Sequence, residues 1–439
     1  MKISLPWGTE QLDVTLPDSW SVIFPERTGG MPSVPPDPVN EVEKALRHPI
    51  ASQPISAQNL AGKKVLVVVD DNTRPTPASF FLKLVLDELE AAGAVLKQGL
   101  LLPGLGIHTS MTEAEMLEKV GRHNLERIPW ENHDAFSQAQ NDYFGTTVRG
   151  TPIYLNRHVK EADFIVTIGM VEPHLWAGFG GGLKNILPGL ASAETIGIHH
   201  AIIAEPPYKF NRVGLPPEEN DFRLDLEEVG KMIDAPIFCL NVVLNHEKKI
   251  LRAFAGDPIA CHRKAVRFNN EISGLALERQ VDGILTNSYP MEINFKQSMK
   301  AVGNALPAVK PGGVVMAFLR AERGLDDIPL PEKSTPLWLV KRILRTLGPS
   351  RVLGFLEKVR KGQNVEEKFL TYYSMQLIRQ NELYFYVPTL SREEIKRLGF
   401  FEQFPTPQAV IARARKKLGS KAQVAVFLEG GATYPIVGE

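Results

Sequence analysis

Cysteine is nearly absent: Cys239 and Cys261 are the only two in 439 residues. A disulfide scaffold is thereby excluded as the organising principle, and neither thiol stands at zinc-ligand or redox spacing. Cys239, inside the apolar run PIFCLNVVL, reads as a small buried hydrophobe. An excess of either charge is also missing, with Lys+Arg and Asp+Glu at 50 each. That balance argues against nucleic acid as a partner, because such binding draws its affinity from neutralised phosphates. No apolar run approaches the roughly 18 residues needed to cross a bilayer. The opening MKISLPWGTEQLDV alternates like a strand and has no signal-peptide core. The expectation is a cytoplasmic protein with no membrane partner.

What is present is a rhythm of strands and helices. KKVLVVVDD (63–71), ADFIVTIGM (162–170) and PIFCLNVVLN (236–245) are apolar, β-branched runs. Such runs mark strands covered on both faces of a parallel sheet. PASFFLKLVLDELEAAG (77–93) reads as a helix ending on a glycine C-cap. A second module begins near residue 275, with strands in VDGILTNSYP (281–290) and PGGVVMAFL (311–319) around a helix over 293–309. Residues 336–380 read as helical, their Lys and Arg lying on solvated faces. The alternation predicts α/β architecture with mostly parallel sheets.

Ligands of such sheets bind beyond the carboxyl ends of the strands, and three of these ends are polar. DDNTRPTP (70–77) supplies Asp71, Thr73 and Arg74; an Asp accepts from ribose hydroxyls, and Arg forks onto carboxylate or phosphate. The alternative is an Asx turn closed by an ion pair. LLLPGLGIHTSMTEAEM (100–116) brings His108 just before a helix start, with Thr109, Ser110 and Thr112 as candidate N-caps. EPHLWAGFGGGLKNILPGL (172–190) brings His174 and Lys184 around a glycine run, and ETIGIHH adds His199 and His200. The glycine run is neither a Walker A loop nor a dinucleotide fingerprint, since Asn185 follows Lys184 and Leu183 stands where the third glycine is required. His48, His123, His133, His158, His246 and His262 read as surface or capping residues. The residues alone suggest an enzyme holding a nucleotide-like cofactor and a small anion, with imidazole acid–base groups.

DDNTRPTP, GIHTS, EPHLWAGFGGGLKNILPG, ETIGIHH and NFKQSMKA, in this order, resemble the lactate racemase family that uses a nickel-pincer nucleotide. The resemblance extends through VPTLSREEIKRLGFFEQFPTPQAV near the end of the chain. It implies a racemase or epimerase that inverts C2 of a small 2-hydroxy acid. It implies a pyridinium mononucleotide with two sulfur donors, joined to Lys184 as a thioamide, and nickel held by that group and His200, with His199 as the rival ligand. Asp71, Thr73, Arg74, Gly181, Gly182 and Pro188 would bind the nucleotide. It implies that hydride would pass to and from the pincer carbon while His108 or His174 would take the hydroxyl proton. Arg74 and Lys300 would hold the carboxylate, supported by Gln297. Cofactor-synthesis enzymes are implied partners.

The resemblance also predicts two domains, 1–272 plus 412–439 and 273–411, with the closing strand returning to the first sheet and the active site in the cleft between them. The chain departs from the family pattern at Lys296, at Asn287-Ser288 and at Gly180; a cation at Lys296 suits either a second substrate carboxylate or a side chain turned to solvent, and these departures argue against lactate itself as the substrate. The competing enzyme class is a 2-hydroxy-acid oxidoreductase, NAD-dependent or nicotinamide-independent. Its NAD-dependent form needs the glycine fingerprint that both glycine clusters lack.

Overall fold

The computed structural model describes residues 1–30, 32–202, 212–245, 247–325, 330, 335–359 and 365–438; His246 lies outside them. The chain divides into two compact units, one of residues 31–203 and 215–269, the other of residues 1–30, 204–214 and 270–439.

The first unit is built on a five-stranded sheet. Its order is Ile250–Gly256, Ile237–Leu244, Phe164–Met170, Val65–Asp70, Leu100–Gly104. All neighbours run parallel except the Ile250–Gly256 edge. Val65–Asp70 and Phe164–Met170 are buried at every position, as their unbroken apolar runs require. Each fully buried Val or Ile there contributes about 1.5–3 kcal/mol. Helix Leu82–Ala91 places Leu82, Val85, Leu86 and Leu89 on one buried face, three and four residues apart. Helix Glu113–Val120 starts at Thr112, whose hydroxyl and the Glu115 carboxylate form a capping box.

The second unit carries a six-stranded parallel sheet, ordered Glu402–Gln403, Glu382–Tyr386, Val309–Phe318, Val281–Asn287, Gln423–Phe427, Ser21–Ile23. The expected domain boundaries are corrected here. Gln423–Phe427 does not return to the first sheet; it pairs with Val281–Asn287, Gly283 facing Val424. Its run is apolar on both faces, and that pattern fits an interior strand of either sheet. Residues 1–30 also belong here, because the Lys2–Trp7 and Glu10–Thr15 hairpin buries Ile3, Leu5 and Val14 against Leu285, Val314 and Met316. The helix expected over 293–309 is broken into Phe295–Ser298, Lys300–Ala305 and a single 3-10 turn before the next strand. Asn294 caps its start, and Pro307 removes a backbone donor at its end. Helices Leu337–Leu347, Pro349–Val359 and Val365–Gln380 follow the expected helical stretch. No helix among the described residues is long and apolar enough to cross a membrane.

Candidate active site

Three adjacent strands of the first unit end in the three polar stretches. Beyond Val65–Asp70 the chain turns sharply before Pro75, and Asp71 Oδ1 accepts from the Thr73 amide at 3.1 Å and its hydroxyl at 2.5 Å. Asp71 Oδ2 lies 2.6 Å from His108 Nδ1. Burial works to raise the Asp71 carboxyl, but its hydrogen bonds to His108 and Thr73 hold it below the usual range. A carboxylate at Nδ1 keeps the ring proton there and leaves Nε2 as the basic nitrogen. The His108 side chain is 53% exposed. Of the candidate caps, Thr112 is the one used; Thr109 and Ser110 are not.

The turn is held from behind by a residue that sequence reading passed over. Lys119, 5% exposed, reaches Asp70 Oδ1 at 2.6 Å and donates to the carbonyls of Asp71 and Arg74 at 2.9 and 2.8 Å. Thr76 donates to the other oxygen of Asp70. Arg74 leaves the turn towards Glu172, with Nε 3.5 Å from Oε1.

After Phe164–Met170 the chain makes a two-residue ribbon, His174 opposite Gly178, and enters the glycine turn. Gly181 and Gly182 have φ of 75° and 63°, where a side chain is strained. A Cβ on Gly181 would also lie 2.6 Å from Val171 Cγ2, so packing beneath the loop already demands glycine. The turn Gly182–Asn185 carries Lys184, and Pro188 follows a cis peptide bond.

His174 and Lys184 meet. His174 Nδ1 accepts from the Trp176 and Ala177 amides, both at 3.2 Å, and Nε2 lies 2.9 Å from Lys184 Nζ. With two donors at Nδ1, the neutral ring carries its proton on Nε2. The lysine nitrogen then accepts, which only an uncharged amine can do. Burial, and then the Arg74 and Arg223 guanidinium groups, push the Lys184 ammonium well below the usual lysine range.

Helix Ala193–Ala201, capped by Ser192, presents both neighbouring histidines. His200 Nδ1 donates to its own helix at Ile196 O, 2.8 Å, leaving Nε2 as a lone pair beside Trp176, whose ring centre is 4.9 Å away. Burial keeps His200 neutral, well below the usual imidazole range. His199 is fully buried and bound through Nδ1 to Asp225 at 2.8 Å, and Asp225 also takes the Thr147 and Thr151 hydroxyls. Of the two rings, His200 is the accessible one.

His133 and His262, expected at the surface, are 2% and 1% exposed. His133 bridges Ala191 O and Asn156; His262 sits under the glycine turn, 2.9 Å from Gly180 O. His48 does lie at a helix end, and His158 contacts the Glu131 and Glu161 carboxylates. Gln297 and Lys300 belong to the second unit, in consecutive short helices.

The sequence matches the lactate racemase N-terminal domain over residues 7–210. It is 31% identical over 318 residues to the lactate racemase of Thermoanaerobacterium thermosaccharolyticum, covering 72% of this chain and 73% of that one. Against the lactate racemase of Lactiplantibacillus plantarum it is 27% identical over 286 residues, 64% of this chain and 66% of the relative. The solved structure of the T. thermosaccharolyticum lactate racemase apoprotein aligns over 100% of both chains, with a TM-score of 0.80 and 26% identity. A crystal structure from Thermotoga maritima, at 18% identity and a TM-score of 0.60, shares the fold. The chain belongs to the lactate racemase family and is an isomerase.

Proposed function

We propose that this isomerase inverts C2 of a small 2-hydroxy acid and uses a nickel-pincer nucleotide attached at Lys184. The observation that carries the proposal is the contact of Lys184 Nζ with His174 Nε2 at 2.9 Å: with His174 Nδ1 accepting from two backbone amides, the lysine nitrogen is the acceptor, an uncharged amine. A structural lysine pairs with a carboxylate, as Lys119 does; an uncharged amine at a strand end is a nucleophile. The remaining residues fit the same group. His200 offers a neutral Nε2 with its tautomer fixed by the Ile196 carbonyl, as metal-binding imidazoles require. Asp71, Thr73, Gly181, Gly182 and Pro188 would line the nucleotide. Arg74 and Lys300 would hold the substrate carboxylate, with Gln297 in support.

When bound, the nickel-pincer nucleotide supplies a hydride acceptor and donor. The protein supplies the proton chemistry. His108, with Asp71 at Nδ1, would present Nε2 as a base, and His174, whose Nε2 faces Lys184 Nζ, would be the second acid–base group. The two enantiomers present their hydroxyl groups differently, so two imidazoles are needed: one would take the hydroxyl proton as the 2-oxo acid forms, and the other, protonated, would return a proton to the 2-oxo oxygen. Small 2-hydroxy acids and cofactor-synthesis enzymes are the partners that follow.

The test is co-expression with cofactor-synthesis enzymes, followed by intact mass, peptide mapping and nickel analysis. The expected result is added mass on Lys184, nickel in the purified protein, and interconversion of 2-hydroxy-acid enantiomers without NAD. Lys184→Ala should carry neither the mass nor the activity. A protein loaded at Lys184 yet inert towards a broad panel of 2-hydroxy acids sinks the reading.

A further inference from the structure

The glycine turn is held from beneath by three buried side chains that none of the roles above uses. Arg223, on helix Asp221–Gly230 and fully buried, donates Nη1 to Gly181 O at 3.1 Å and Nη2 to Phe179 O, with Gly180 O at 3.5 Å. His262 Nε2 meets Gly180 O at 2.9 Å; its Nδ1 faces the Arg263 guanidinium at 3.3 Å, a donor, so the proton sits on Nε2. Asn241 Oδ1 accepts from the Gly182 amide at 3.0 Å. The carbonyls of residues 179–181 therefore all turn inward, towards one guanidinium.

A buried cation is a costly way to fix a loop that neutral donors could fix. Among the described residues no carboxylate pairs with Arg223; its neighbour Glu227 is taken by Arg263 at 2.7 Å. Burial pushes the Arg223 guanidinium down to about 10. What the charge adds is a fixed positive field behind the turn, at a carbonyl three residues from the lysine.

We propose that Arg223, assisted by His262 and Asn241, positions the Lys184 amine: it turns three carbonyls inward, sets the backbone of Gly182–Asn185, and places a cation behind the side chain that meets His174. The inference rests on the reading that Lys184 is the attachment point. Other charges also face Lys184. Arg74 opposes its protonation, Glu172 favours it, and His174, His199, His200 and His262 stand around it as imidazoles. Arg223 differs from these in holding the loop and the charge together.

The test uses apo protein, so it does not depend on the cofactor. Trace acetylation with acetic anhydride between about pH 6 and pH 10, read by peptide mapping, gives the Lys184 rate relative to exposed Lys83. Wild type should show a Lys184 midpoint below that of Lys83. Arg223→Gln keeps amide donors and loses the charge; its midpoint should rise by about one pH unit, with Lys184 acetylated about tenfold more slowly near neutrality. A structural role that leaves Lys184 as buried as before does not move that midpoint, and a folded Arg223→Gln with unchanged rate and midpoint overturns the proposal. Should Arg223→Gln not fold, a second pair decides. His262→Gln, which keeps a donor for Gly180 O, should label as wild type does, and His262→Leu about threefold or more slowly. Equal labelling in the two His262 variants and wild type overturns it as well. A wild type that gains no mass at Lys184 when co-expressed contradicts the attachment reading instead, and leaves the acetylation result standing.

Discussion

At the scale of single residues, the site separates its histidines by what each ring nitrogen touches. His108→Ala should leave mass on Lys184 and lower kcat by about 10²–10⁴-fold, the usual contribution of a general base. Asp71→Asn should do part of the same, because an amide no longer fixes the proton on Nδ1. Single turnovers of loaded protein check both, and unchanged kcat in His108→Ala removes His108 from the chemistry. The buried imidazoles yield a pH prediction. Burial holds His133 and His262 below the usual imidazole range in the folded chain. The unfolded chain then binds more protons once the pH drops below about 6.5, so stability is intact above that value and falls below it. Each ring adds up to about 1.4 kcal/mol of loss per pH unit. Urea midpoints near neutrality and about one to two pH units lower should differ, and His262→Gln should reduce the difference. Asp71 acts at the other end of the scale. Its carboxyl is depressed, so its contribution holds above about pH 4 and fades only in stronger acid.

At the scale of elements, helix Glu113–Val120 exists to deliver Lys119. Its start was legible within HTSMTEAE, with three candidate caps, but the role of its lysine was not, since a lysine on an amphipathic helix reads as solvent-facing. Lys119→Met leaves Asp70 buried without a cation and frees two carbonyls. The expected cost is about 3–5 kcal/mol in denaturant unfolding, with Asp70→Asn added to it restoring part of the loss. A double variant no more stable than Lys119→Met contradicts the pairing. Helix Asp221–Gly230 hid its contents in the same way. NDFRLDLEEVG carries charges on nearly every turn, yet Arg223 and Asp225 are fully buried, one under the glycine turn and one against His199. Charge patterning locates solvent faces; it does not show which charges a polar backbone turn draws inside. Strands were easier. The VVV and IVT runs lie side by side in one sheet, Val67 facing Val166, because a strand covered on both faces leaves few other choices.

At the scale of the whole molecule, the sequence showed α/β architecture and the polar strand ends, but not which sheet owns the chain's first and last segments. Alternation in ISLPW and apolarity in QVAVF fix faces, not partners. The assignment makes a prediction. Leu5 is fully buried in the cluster of the six-stranded sheet, so Leu5→Ala should cost about 2–5 kcal/mol there. Hydrogen exchange should rise in Val281–Asn287 and stay unchanged in Val65–Asp70. Equal loss of protection in both strands means that the hairpin's packing is not confined to its own unit.

The pairing of Ser21 with Gln423 has a further consequence, for synthesis on the ribosome. The sheet beneath Lys184 is complete once residue 256 has emerged, whereas the Ser21–Ile23 strand must wait for a neighbour about 400 residues downstream. At about 5–20 residues per second that delay is roughly 20–80 s. The lysine-bearing sheet can therefore complete its pairing while residues 257–439 are still to come, whereas Ser21–Ile23, unlike the self-paired hairpin before it, stays without its neighbour until Gln423–Phe427 has been made.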